Sequence, residues 1–160
     1  MKALNERSWQ GRRFRIIPAT ACEGESRFHR HLATEAFKIY ERRGCAPGHQ
    51  AEDWKAAEGR IMQPLNCGFI AADDEILLAT DSTHFGPGEI EIWVEPRRLI
   101  LSGPEPVASA VGSPRGFIFR FVDLPVEIDP LNVVARFKGR MLEIELSSRE
   151  PRIHTAKKAA

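Results

Sequence analysis

The chain has 160 residues, 42% hydrophobic and 28% charged, and its 23 Lys and Arg nearly cancel 22 Asp and Glu to leave a net charge of +1. That length holds one or two small domains with a real core but no large catalytic scaffold. Near-neutrality disfavours a surface that grips nucleic acid or an anionic membrane throughout, and the apolar content is too high for disorder throughout.

No apolar run approaches the roughly 20 residues of a membrane span. The first residues, MKALNERSWQGRRFRII, lack the apolar stretch of a secretory signal. Cys22, Cys45 and Cys67 are scattered, with no C-x-x-C pair, which reads as free thiols in a reducing, cytoplasmic setting. Charge divides the chain more sharply than its total suggests. Residues 1–24 carry +3, residues 25–63 carry +1, residues 64–148 carry −6 and residues 149–160 carry +3. An acidic body between two basic, solvated arms is the expectation.

From Glu25 to Met62 the apolar spacing is helical. Phe28, Leu32, Ala36, Ile39 and Tyr40 recur at three- and four-residue steps. Arg42, Arg43 and Gly44 supply a C-terminal stop, and Cys45-Ala46-Pro47-Gly48 a turn. A second helix is predicted from His49 or Gln50, with Glu52 and Asp53 in its first turn and Trp54, Ala57 and Ile61 as its apolar stripe; Pro64 ends it. The two make an αα-hairpin that must pack on something else.

Within it, Ala33–Glu58 reads A-T-E-A-F-K-I-Y-E-R-R-G-C-A-P-G-H-Q-A-E-D-W-K-A-A-E. This resembles a short bacterial domain of unknown function, number 2934, whose R-G, G-H, E-D-W and A-E elements fall here on Arg43, Gly44, Gly48, His49, Asp53, Trp54 and Glu58. Phe37 stands where that family often has Tyr. The resemblance implies a module and no reaction. Physically, Gly44 and Gly48 are turn positions, Trp54 a core anchor, His49 a cap, and Asp53 and Glu58 candidate partners for Arg42 or Arg43.

Beyond Pro64 the period changes to that of strands. Gly68–Ala71, Glu75–Thr80, Glu89–Val94, Arg98–Ser102, Phe117–Leu124, Asn132–Lys138 and Met141–Ser147 are predicted strands, with a loop over Gly103–Gly116 and a hairpin about Gly139-Arg140. Seven short strands without crossover helices point to an antiparallel sandwich and away from parallel pairing. Glu89–Val94 alternates acid with apolar, as a half-buried strand does. Phe117–Leu124 is apolar on both faces, so it lies between two buried layers or has a partner on one. Arg120, on the face of Ile118, Val122 and Leu124, needs an acidic partner within the chain or across a dimer.

Four segments carry a second resemblance. Leu124–Ala135 (L-P-V-E-I-D-P-L-N-V-V-A), Ala135–Leu146 (A-R-F-K-G-R-M-L-E-I-E-L), Ile118–Pro125 and Ile92–Gly103 are similar, in order, to the α-crystallin pattern of small heat-shock proteins. The resemblance implies an all-β, immunoglobulin-like (α-crystallin-type) sandwich behind the α-helical hairpin, and ATP-independent holding of unfolding proteins. It also implies a groove lined by Ile90, Ile92, Val94, Val133 and Ala135. The chain departs from the pattern in three places. Gly139 lies one residue early, the loop over 103–116 is too short and bland for an exchange strand, and the tail offers only Ile153 where the family has an I-x-I anchor. A monomer or small homo-oligomer follows, not a large cage. The expected organisation is an arm (1–24), a hairpin module (25–63), a sandwich (64–148) and a tail (149–160).

No G-x-S-x-G, phosphate loop or metal-ligand spacing occurs, so neither catalysis nor a cofactor is expected. The competing reading is a non-catalytic adaptor, or a co-chaperone of the CS type, whose hairpin recognises a protein partner.

Overall fold

Three layers stack in the fold: a helical hairpin, a six-stranded sheet and a four-stranded sheet. The computed structural model describes residues 7–18, 21–106 and 116–149, with side chains from residue 28 onward in the first helix. In chain order the elements are β1 (Ser8–Trp9), β2 (Arg12–Pro18), α1 (Ala21–Arg42), α2 (Gln50–Ile61), β3 (Met62–Pro64), β4 (Cys67–Ala72), β5 (Glu75–Asp81), a 3-10 turn at Ser82–His84, β6 (Gly88–Val94), β7 (Arg98–Pro104), β8 (Phe117–Asp123), β9 (Ile128–Lys138) and β10 (Met141–Ser148). The larger sheet runs β1-β2-β6-β7-β8-β3 and the smaller β4-β5-β10-β9. The expected calls on residues 107–115 and on the tail from residue 150 lie outside the described residues.

The two sheets face each other across one core, as expected for a sandwich. Ile90, Ile92, Val94, Leu99, Leu101 and Ile118 from the larger sheet meet Ile76, Leu78, Phe137, Leu142, Ile144 and Leu146 from the smaller. Their alternation along each strand is the period-2 pattern of a sheet with one face inward. A second core lies on the other face of the larger sheet. There Leu32 and Ala36 of α1 and Ala57 and Ile61 of α2 pack on Ile100 and Phe119, with Phe28, Ile39, Trp93 and Phe121 around them. The hairpin is therefore a lid over the sheet, and both apolar faces of β8 are covered.

This second layer corrects the reading of Glu89–Val94 as half-exposed. Glu91 is buried, with Arg15 of β2 against it at 2.6 Å, and Trp93 is half-buried under the helices, both on the face that alternation alone assigned to water. The sheet is also mixed: β2 pairs parallel with β6, and β3 parallel with β8. The sequence reading excluded parallel pairs for want of crossover helices. The connection from β2 to β6 runs through α1, α2, β3 and the β4–β5 pair of the other sheet, long enough for the crossover that a parallel pair needs.

The hairpin itself follows its sequence signals. α1 ends in a Schellman cap, with Cys45 N–H donating to Tyr40 C=O and Gly44 N–H to Glu41 C=O, both at 3.0 Å. Gly44 has φ +80°, which glycine tolerates without penalty. The inner stripe of α2 is Asp53, Ala57 and Ile61, at four-residue steps. Trp54 is one position off that stripe and stays 39% exposed, so it is not the core anchor its size suggested.

Candidate functional site

Residues 12–18, read from charge as part of a solvated arm, form the strand that completes the site. The five groove residues do come together. Ile90, Ile92 and Val94 are fully buried on β6, and Val133 and Ala135 on β9 pack against the same core. Between these two strands lies β2, whose register sets Phe14 beside Ile90, Ile16 beside Ile92 and Pro18 beside Val94. Phe14 and Ile16 pack on the core, and the Phe14 ring stands 5.6 Å from that of Phe137. β2 thus packs over the residues expected to line a groove.

Charge holds β2 there. On the opposite face of the strand, Arg15 donates to Glu91 at 2.6 Å and lies 3.5 Å from Glu89, which is 3.7 Å from Arg13. The hydrogen bond to Glu91, then the charges of Glu89 and Glu91, raise the Arg15 pKa above its ordinary value. Arg12 donates from Nε to Phe85 C=O at 2.9 Å and stacks 5.4 Å over Trp9. Trp9 is carried back by a two-residue turn at Gln10-Gly11, both with positive φ, a conformation that suits hairpins and favours glycine at its second position. Phe14, Arg15 and Ile16 were missed as site residues. The signal was present: R-R-F-R-I alternates cation with apolar, and E-I-E-I in β6 alternates acid with apolar in the matching register.

The smaller sheet differs at its margins. β4 and β9 are its outermost strands, each paired on one side only among the described residues. Both carry large apolar side chains in solvent: Phe69 and Ile70 (63% exposed) on β4, Leu131 (83%) and Val134 (53%) on β9.

Of the two partners expected for Arg120, the one within the chain is not found among the described residues. The Arg120 Nη1 donates to the carbonyl of Phe119 at 2.9 Å, and no Arg120–carboxylate bridge occurs among the described residues. Partial burial pushes its pKa down, in keeping with a cation beside apolar neighbours. Of the module residues, Arg43 and Asp53 meet in a two-pronged pair, Nε to Oδ1 at 3.1 Å and Nη2 to Oδ2 at 2.5 Å, with the carboxylate buried. That pair clamps the end of α1 to the start of α2. Gly48 turns the link with φ +89°, and Glu58 is exposed. His49 sits at the N-cap position without a side-chain cap bond and instead meets Glu52 at 3.1 Å. Among the described residues no group of three metal-ligating side chains gathers, and no helix is long and apolar enough to cross a membrane. Outside the clamp, Ala33, Phe37, Tyr40, Pro47, Gln50 and Trp54 line an open cleft of about 280 Å³.

Residues 27–63 match the model of a family described as "Protein of unknown function (DUF2934)". No curated protein matches the chain. Among solved structures, heat shock protein 16.0 from Schizosaccharomyces pombe is similar at 15% identity and a TM-score of 0.44, over 56% of this chain and 90% of that one. HspA from Xanthomonas axonopodis is similar at 19% identity and 0.43, over 56% and 97%. The rat alpha crystallin domain is similar at 18% identity and 0.39, over 52% and 88%. The chain joins a helical module matching that family to a two-sheet sandwich similar to α-crystallin domains.

Proposed function

We propose that the protein is an ATP-independent holdase that binds segments of unfolding proteins in the cytoplasm, acting without a cofactor and without catalysis. The observation that carries this reading is the pair of outer strands in the smaller sheet. Unpaired strand edges are ordinarily protected by charge, proline or a covering element. Here β4 and β9 instead present Phe69, Ile70, Leu131 and Val134 to solvent. An extended client segment added to either edge would gain backbone hydrogen bonds and an apolar neighbour at alternate positions. Such binding needs no nucleotide, only surface that a folded protein cannot use and an unfolding one can. The α-crystallin-like motifs from Ile92 to Leu146 agree with this reading, and a monomer or small homo-oligomer keeps both edges available.

The test is light scattering from an unrelated client heated with the full chain and no nucleotide. Suppressed scattering at equimolar protein supports the reading; scattering unchanged at molar excess rejects it. A second reading, an adaptor, is favoured by one observation: Phe37 and Trp54 stand exposed at the hairpin cleft, away from the sandwich. Under it, a Phe37→Ala variant would lose a partner while client protection, if any, stayed intact.

A further inference from the structure

We infer that the open cleft of the helical hairpin binds a small quaternary ammonium compound, held by the aromatic rings of Phe37, Tyr40 and Trp54. This goes beyond the holding reading and does not rest on it, because the residues lining the cleft all belong to the hairpin.

The packing of the helices does not use these rings. Leu32, Ala36, Ala57 and Ile61 seat the hairpin on the larger sheet, while Phe37 is 57% and Trp54 39% exposed. Three aromatic side chains are thus gathered at a surface cleft of about 280 Å³ without serving as core. Phe37 and Tyr40 stand near the end of α1, their ring centroids 5.9 Å apart and their planes tilted by 34°, and Trp54 brings the third ring from the start of α2. The faces of such rings carry negative potential and attract a cation, most strongly for Trp.

The charges nearby agree with a cation. Glu41 lies one turn beyond Phe37 on α1, and Glu58 one turn beyond Trp54 on α2, so each exposed carboxylate shares a helix face with a ring of the cleft.

The polar group in the lining decides which cation fits. Asp53 lines the cleft with a side chain only 6% exposed, and both of its oxygens accept from Arg43, at 3.1 and 2.5 Å. A primary ammonium would bring three N–H donors and a guanidinium five, to a carboxylate that is already engaged. Donors desolvated without acceptors are costly. A quaternary ammonium has no N–H to satisfy, and its methyl groups suit apolar walls. Those walls are helices, whose backbone groups pair within each helix, so the cleft offers a peptide main chain no bonds. A free compound therefore fits better than a methylated side chain carried by a protein.

Choline is the probe, titrated into the full chain and followed by the Trp54 indole N–H and Gln50 side-chain amide resonances. It is expected to bind with a dissociation constant of about 0.1–1 mM, about tenfold more tightly than its neutral isostere in which carbon replaces nitrogen. Ethanolamine, which carries a primary ammonium instead, should bind about tenfold more weakly than choline. Trp54→Leu keeps an apolar side chain but removes the ring face, and should lower choline affinity about tenfold with the thermal midpoint unchanged. Phe37→Leu, at a more exposed position, guards against loss of the fold and should weaken choline about threefold. Equal affinity for choline and its neutral isostere, ethanolamine binding as tightly as choline, or undiminished binding in both variants would overturn the inference. A peptide bearing trimethyl-lysine that binds more than about tenfold tighter than choline would overturn the assignment to a free compound. Client protection with no choline binding sinks this inference alone; choline binding with no client protection sinks only the holding reading.

Discussion

The two sheets of the sandwich share a core and differ in almost everything else. The larger has helices over its outer face, a salt-bridged strand on one edge and β3 on the other. The smaller has an uncovered outer face and two outermost strands with apolar side chains in solvent, β4 at one margin and β9, flanked by β1 and β2, at the other. One sheet has become interior while the other remains surface. The contrast separates support from surface: the covered sheet carries two packed layers, and the uncovered one is where the proposed client contacts fall.

The largest effect should come from Phe119, where the covered sheet meets the hairpin. Its ring is almost wholly buried and lies edge-on to Phe28 at 5.6 Å. Phe119→Ala should cost about 3–5 kcal/mol in denaturant unfolding, as truncation leaves a cavity between layers. Val134→Ala, on the uncovered sheet, should stay within about 0.5 kcal/mol. Equal losses at both positions would break the comparison.

Next is the clamp of the hairpin. Asp53→Ala removes the buried half of the two-pronged pair and frees the exposed Arg43 to water, and should cost about 2 kcal/mol in the same assay. Gly103→Ala probes the covered sheet from inside. A Cβ there would stand 2.7 Å from Cδ1 of the fully buried Phe85, so overpacking of about 1–3 kcal/mol is expected. On the uncovered sheet, Ile70→Asp with Leu131→Asp should leave unfolding within about 1 kcal/mol of native while abolishing client protection.

The smallest effect is at the turn after β5. The Thr83 hydroxyl and then its backbone N–H donate to Asp81, which lowers the Asp81 pKa, with Arg140 and His84 adding to the effect. A depressed folded-state value means this contribution is present above the unfolded carboxylate value and lost as pH falls through the folded one. Asp81→Asn should therefore lose slightly more stability at pH 7 than at pH 2, read from thermal midpoints at both.

The smaller sheet was legible because its strands alternate and its turns carry Asp73-Asp74 and Gly139-Arg140. The helices were legible from spacing and the Schellman glycine. What escaped were residues whose surroundings come from far along the chain. Glu91 looked solvent-facing because Arg15, which meets it, lies far earlier in the chain, and Trp93 because the helices that cover it do. Arg12–Pro18 looked like an arm because its parallel partner β6 lies far along the chain, and three arginines in seven residues suggested solvent. The expected groove lining came from family resemblance; that β2 packs against those residues required the fold. Within the chain Arg120 meets the Phe119 carbonyl and no carboxylate among the described residues, which leaves the expected partner across a dimer.

The most direct test of the central claim is hydrogen exchange on the full chain with a heat-unfolding client bound. The account predicts new protection in β4 and β9, with the amides around Phe37 and Trp54 unchanged. Protection confined to the hairpin cleft, with both outer strands exchanging as in the free protein, would contradict it.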